Sequence, residues 1–98
     1  MKVENITNER GNKVANQFKV ETDSATYFQS YESVIAKVDK NTKNVLLTQY
    51  WDYSPTTLRH LRTFLSDMGF EYGSKKEIAK AIEDGYIILL PFNSMKIS

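Results

Sequence analysis

Three large aromatic residues directly precede a helix start in the stretch YWDYSPTTL, residues 50–58. Two arginines follow, one helical turn apart on the polar face of the predicted helix. Trp, Tyr and Arg are the residue types over-represented in binding hot spots, and rings beside guanidinium groups also suit single-stranded nucleic acid. The stretch therefore predicts a partner-binding surface. Its residues are Tyr50, Trp51, Tyr53, Arg59 and Arg62.

The same aromatic residues have a purely structural interpretation. Tyr53 and Leu58 have the spacing of a hydrophobic staple, in which the residue before the N-cap packs on the first helical turn. Trp51 would then fold back over Phe64 or over the sheet. If Tyr50 and Trp51 continue a strand, they point to opposite faces, so at most one of them lies fully in the core. This interpretation is the favoured one, and the binding surface is the alternative to it.

Side chains for bond-making chemistry are scarce. His60 is the single histidine and the chain has no cysteine, which excludes thiolate chemistry and histidine-cluster metal sites. The apolar stripe of the predicted helix omits position 60, so we expect His60 to face solvent, with the neighbouring arginines favouring its neutral form. No calcium loop or glycine-rich phosphate loop is present. The sequence predicts a protein that is not an enzyme, with no catalytic residue, metal or cofactor.

Length and composition limit the remaining classes. The 98 residues, 41% apolar and 26% charged, predict one domain over residues 1–98. The polar residues 1–13 are expected to form a loose N-terminal arm, with room for a short strand at 2–6. The formal charge of +1 argues against strong attraction to nucleic acid. No apolar run could span a bilayer and no signal-type leader is present, so we expect a cytoplasmic protein without a membrane partner.

Periodicity predicts strands in the first half of the chain and helices in the second. Period-two or β-favouring runs occur near residues 18–20, 26–29, 33–38 and 44–49, joined by short turns typical of an antiparallel meander. Ser54 and Pro55 predict a helix start, and this helix is expected at 55–68. A capping box at Ser74 predicts a second helix that ends at Gly85. Residues 86–90 then read as a buried strand.

The predicted fold class is α+β. It combines an antiparallel β-meander of about four strands, two helices packed on one face and a C-terminal strand. The two helices are also compatible with a helix-turn-helix motif, although their connection is longer than usual. A nucleic-acid-binding protein is therefore the alternative to a protein-binding one. Its contact residues would be Arg59, Arg62, Lys75, Lys76 and Lys80.

Two stretches, GNKVANQFKVETDSATYFQSYESVIAKV at 11–38 and YWDYSPTTLRHLRTFL at 50–65, resemble small proteins encoded by bacteriophages and prophages of Gram-positive bacteria. In those proteins a YFQSYxSxIA strand block precedes a YWDYSxTT helix start. The resemblance implies a phage accessory protein in the host cytoplasm that binds host machinery or host defence. It favours a protein partner, with a homodimer as a further option.

Overall fold

Turn-forming residues separate the β-favouring runs of the first half of the chain, and two capped amphipathic segments follow. The structure is a computed structural model that describes residues 1–8 and 10–98. Within this part of the chain there are six strands and two α-helices. In chain order the elements are β1 (Lys2–Thr7), β2 (Lys13–Glu21), β3 (Ala25–Ser30), β4 (Ser33–Asp39), β5 (Val45–Leu47), a 3-10 helix (Gln49–Asp52), α1 (Pro55–Asp67), α2 (Lys75–Glu83) and β6 (Ile87–Leu89).

The strands form a single mixed sheet in the order β1-β2-β3-β4-β5-β6. The first five strands are antiparallel to their neighbours, as the short turns predict. β6 runs parallel to β5 because the two helices supply the long crossover that a parallel pair needs. The α+β class is confirmed. The predicted antiparallel meander of about four strands is too small, because β1 to β5 form it. With the separately predicted C-terminal strand, the sheet has six strands among the described residues.

The N-terminal segment is the main reason for the larger sheet. β1 pairs along β2 with Lys2 opposite Glu21 and Asn5 opposite Phe18. The Asn5 side-chain amide donates to the Val14 carbonyl at 3.0 Å, and Ile6 is buried in the core. The short strand considered at 2–6 is confirmed and extends to Thr7, so residues 2–7 are not a loose arm. One buried isoleucine and a long partner strand are enough to order this polar segment as the edge of the sheet.

Side chains of the sheet bury on both faces. Phe28 points toward the helices, where its ring lies 5.8 Å from the Phe64 ring in a cluster that also contains Ile78 of α2. The adjacent Tyr27 points to the other face, where Met95 and Ile97 of the C-terminal tail pack against its cluster. The tail, for which the sequence predicts no structure, therefore covers the face that the helices leave open.

A β-bulge in β4 determines how the chain enters the aromatic stretch. Phe28 pairs with Ala36 and Gln29 pairs with Val34, so Ile35 is the extra residue of the bulge. The fully buried Thr48 donates its backbone N–H to the Ile35 carbonyl at 2.9 Å. Its hydroxyl lies 3.0 Å from the Val34 carbonyl and 3.3 Å from that of Ile35. Thr48 thus satisfies buried carbonyls and fixes the start of the 3-10 helix.

The helix caps follow the sequence prediction. The Ser54 hydroxyl accepts from the Thr57 N–H at 3.1 Å, and the Ser74 hydroxyl accepts from the Glu77 N–H at 3.3 Å. α1 ends at Asp67, and Gly69 follows it at φ 93°, a conformation that glycine adopts without strain. Both predicted helices are confirmed.

The last strand differs from its prediction. The run 86–90 was expected to be fully buried, but β6 is an edge strand with β5 as its neighbour in the sheet. Ile87 is buried, whereas Ile88 and Leu89 are 47% and 43% exposed. Apolar content alone therefore overestimated the burial of this strand.

Candidate functional site

The 3-10 helix sorts the three aromatic residues into one core residue and two exposed ones. Trp51 is 7% exposed and belongs to the same cluster as Phe64, as the structural interpretation predicted. Tyr50 and Tyr53 are 42% and 74% exposed, with ring centroids 5.2 Å apart. Tyr53 directly follows the 3-10 helix, and its backbone N–H donates to the Tyr50 carbonyl at 3.1 Å. This turn places the two residues, three apart, on one side. Trp51 is therefore not part of an exposed surface. Because Tyr53 is largely exposed, it can bury little area against Leu58 in a hydrophobic staple.

Further apolar side chains are exposed next to the tyrosine pair. The Gln49 N–H donates to the Phe92 carbonyl at 2.6 Å, which brings the half-exposed Phe92 beside the chain that carries Tyr50. Six of the nine exposed large apolar side chains among the described residues belong to the 3-10 helix end or to the region of β6. We call Tyr50, Tyr53 and Phe92 the aromatic surface. Burial of such a patch on a partner is favourable.

The two arginines of the predicted surface turn to different sides of α1. Residues three apart differ by about 60° around a helix axis, so their neighbours decide their surroundings. Arg62 Nε donates to the Tyr72 carbonyl at 3.1 Å, in the connection between α1 and α2. Arg59 lines a cleft on the other side, together with His60 and Thr63. The two guanidinium groups therefore do not form one surface with the tyrosines.

The cleft of about 550 Å³ lies between α1 and the connection from β1 to β2. Three cationic side chains line it, two from the hairpin and one from α1. None of the carboxylates in residues 1–8 and 10–98 lines it. We call it the basic cleft. Its described lining residues are Asn8, Arg10, Asn12, Lys13, Val14, Ala15, Arg59, His60 and Thr63.

His60 is the residue whose predicted position is wrong. It is 4% exposed rather than facing solvent, because α1 packs on the sheet through a stripe wide enough to include position 60. Its ring makes no hydrogen bond to the described residues, and its small exposed area lies in the basic cleft. Burial lowers the pKa of His60, and the nearby Arg59 charge lowers it further. The imidazole is thus held in its neutral form.

The lysines considered for nucleic-acid binding lie away from the basic cleft. Lys75 forms an exposed ion pair with Asp52 at 3.3 Å, and Lys80 pairs with Asp84 at 3.2 Å. Lys76 is exposed on α2. Of the five residues of that alternative, Arg59 is the one that lines the cleft. Sequence reasoning missed Arg10 and Lys13 because the segment before β2 was assigned to a loose arm.

The fold and these two surfaces define a small α+β domain with a mixed sheet, an exposed aromatic pair and a cationic cleft. The chain belongs to a protein family described as a family of unknown function (DUF8033), which matches residues 1–80. No curated protein and no solved structure matches the chain. The matched span contains the basic cleft and both tyrosines, whereas β6 and Phe92 lie beyond it. Among the described helices, none has the length and apolar character needed to cross a membrane.

Proposed function

We propose that this protein is a non-enzymatic binding protein whose partner is another protein, held through the aromatic surface. The observation that carries the proposal is the pair of exposed tyrosine rings, 5.2 Å apart, in a 3-10 helix and at the residue that follows it. That helix is fixed on one side by the buried Trp51 and at its start by Thr48. Tyrosine offers a large contact area at low entropic cost because it has two rotatable angles. Rigid, exposed tyrosines suit a binding hot spot.

The neighbourhood of the tyrosines supports a protein partner over other ligands. Phe92 is 47% exposed and its backbone is hydrogen-bonded to the chain just before Tyr50. The Asp52–Lys75 ion pair gives the patch a polar border of both signs. An apolar centre with a polar rim is the usual arrangement of a protein interface. A second copy of this chain is the other occupant of the surface, and light scattering over a concentration series separates the two.

Nucleic-acid binding is the second candidate kept from the sequence. Its residues, Arg59, Arg62, Lys75, Lys76 and Lys80, lie on different sides of the helices, and two of the lysines are ion-paired. Phosphate contacts would make any DNA or RNA affinity fall steeply with salt. If the chain does not bind a mixed-sequence oligonucleotide at about 50 mM salt, this candidate is excluded. An affinity that does not change with salt excludes it as well.

A comparative affinity capture tests the protein-binding proposal. The wild-type chain, the Tyr50→Ser/Tyr53→Ser variant and a Tyr31→Ser control are used as baits. Tyr31 is a matched control because it is 63% exposed and lies in the turn between β3 and β4. We expect a captured protein that is retained by the control and lost with the double variant. Capture of the same proteins by all three baits would contradict binding through the aromatic surface.

The cellular setting is part of the proposal and rests on the resemblance alone. We propose a phage or prophage accessory protein that acts in the cytoplasm of a Gram-positive host, on host machinery or host defence. The appropriate capture lysate is therefore that of a Gram-positive bacterium, before and after phage infection. A partner present in both lysates would be a host protein, and one present only after infection would be phage-encoded.

A further inference from the structure

The basic cleft is a second feature of the chain, separate from the aromatic surface, and it concentrates hydrogen-bond donors. Arg10 and Lys13 come from the hairpin side and Arg59 from α1, so two independent elements aim positive charge at one space. Neither Lys13 nor Arg59 forms an ion pair with the described residues. Three cations around one concavity repel each other, and an anion between them offsets that repulsion. The cleft is therefore electrostatically suited to an anion.

The polar side chains of the cleft are arranged as donors. The Asn8 side-chain oxygen Oδ1 already accepts from the backbone N–H groups of Arg10 and Asn12, at 2.9 and 3.0 Å. The Thr63 hydroxyl donates to the Arg59 carbonyl at 3.2 Å. The Asn8 amide group and the guanidinium groups keep N–H donors for a ligand. The hydrogen bonds within the protein therefore use the Asn8 side-chain oxygen as an acceptor and leave these N–H donors available.

His60 places an imidazole ring at the wall of the basic cleft. It is a polar side chain that is 96% buried, since its exposed fraction is 4%, and it has no hydrogen-bond partner among the described residues. The ring lines the basic cleft. A ligand in the cleft would therefore lie within reach of the imidazole.

We propose that the basic cleft binds a small, multiply charged phosphate-bearing molecule. Arg10, Lys13 and Arg59 would neutralise its charge, and His60 would donate one hydrogen bond to it. The volume of about 550 Å³ falls within the range of small-molecule sites. Arginine binds phosphate oxygens through paired N–H donors and lysine binds them as a point charge. The site is one of binding, and no bond is made or broken in it.

A titration with sodium tripolyphosphate, followed by calorimetry at low ionic strength, tests this site. We expect saturable binding to one site in the wild-type chain. Lys13→Gln and Arg59→Gln should each weaken it about tenfold, because each removes a charge-assisted contact. Lys76→Gln is the matched control, since it removes the same charge from an exposed position on α2, and it should change the affinity less than about twofold. Equal losses in all three variants would show unspecific attraction and would overturn the proposal, as would the absence of saturation.

The His60 ring gives a readout that general charge attraction does not provide. We expect bound sulfate, an anion that does not titrate in this range, to raise the pKa of His60 measured by NMR, because a nearby negative charge favours the imidazolium. Arg10, Lys13 and Arg59 are the described charged groups that line the cleft with this ring. An unchanged titration at saturating sulfate would contradict a site in contact with His60. If tripolyphosphate does not compete with a bound oligonucleotide, the nucleic acid binds elsewhere on the chain. If the cleft binds an oligonucleotide but has no affinity for tripolyphosphate, its ligand is a nucleic acid and the small-molecule proposal is wrong.

Discussion

The two sides of α1 carry the same residue type and have opposite surroundings. On the side of α2, the exposed Arg62 is hydrogen-bonded to the Tyr72 carbonyl at 3.1 Å. On the side of the β1–β2 hairpin, Arg59 lines an open cleft with Lys13. Helical spacing places both arginines on a polar face, but neighbours distant in sequence decide whether each one stabilises the fold or faces a ligand. The comparison separates an arginine that is hydrogen-bonded within the protein from one that lines a cleft.

The core beneath α1 supports both sides, so Phe64→Ala should have the largest effect. Phe64 is fully buried and stacks on Phe28 at 5.8 Å. We expect a loss of about 3–5 kcal/mol in the free energy of unfolding, from lost burial and a cavity. Urea denaturation followed by circular dichroism measures it. A loss below about 1 kcal/mol would mean that α1 is held by something other than this core.

Thr48→Val should have the next largest effect, because it removes the hydroxyl that serves two buried carbonyls of β4. Val keeps the shape, so the expected loss of about 1–3 kcal/mol reports the lost hydroxyl hydrogen bond to the Val34 carbonyl, since the Ile35 carbonyl keeps the Thr48 backbone N–H. Thr56→Val is the control, since Thr56 is exposed in the first turn of α1, and it should cost clearly less. The same denaturation measurement applies to both variants. Equal costs would mean that the bulge does not depend on Thr48.

Arg62→Ala and Arg59→Ala test the comparison of the two sides itself. Loss of the Arg62 hydrogen bond to Tyr72 should cost about 0.5–1.5 kcal/mol in unfolding free energy. Arg59→Ala should leave stability within about 0.5 kcal/mol, because Arg59 has no bonded partner among the described residues through its side chain. A stability loss that is larger for Arg59 than for Arg62 would reverse the assignment of the two arginines.

The smallest expected effect is the pH dependence that His60 adds on the open side. The pKa of His60 is lowered in the folded chain from the usual value of 6.5, so the unfolded chain binds more protons and stability rises with pH. The contribution is complete above about pH 6.5 and is lost progressively as the pH falls below it. We expect wild-type stability to fall more than that of His60→Gln between about pH 7.5 and 5.5. Parallel curves would mean that His60 does not titrate on unfolding.

Local signals in the sequence predict the helices and most strands. Ser54 with Pro55, and Ser74 with Glu77, mark helix starts that the structure confirms. Period-two runs predict β2 to β4, and the loop at 39–43 predicts the turn before β5. These features depend on neighbours in the chain, which is why they can be read without a structure.

The features that sequence reasoning missed depend on distant contacts. From the sequence, a short strand at 2–6 is only an option within a loose arm, because β1 is ordered by its pairing with β2 and by the burial of Ile6. His60 is buried because the helix packs through a wide stripe over the sheet, and the cleft exists because the hairpin approaches α1. Tyr50 and Tyr53 lie on one side because the chain forms a 3-10 helix at Gln49–Asp52. The composition of this region is typical of a strand and does not predict that helix. The candidate site was therefore only partly predictable.

The central claim is that the exposed tyrosine pair binds a protein, and the affinity of a purified captured partner tests it most directly. Binding of that partner is measured by calorimetry with the wild-type chain, Tyr50→Ser/Tyr53→Ser and Tyr31→Ser, after thermal unfolding has shown that all three are folded. The account predicts that the double variant binds about a hundredfold more weakly and that Tyr31→Ser binds as the wild type does. Wild-type affinity in the folded double variant would contradict it.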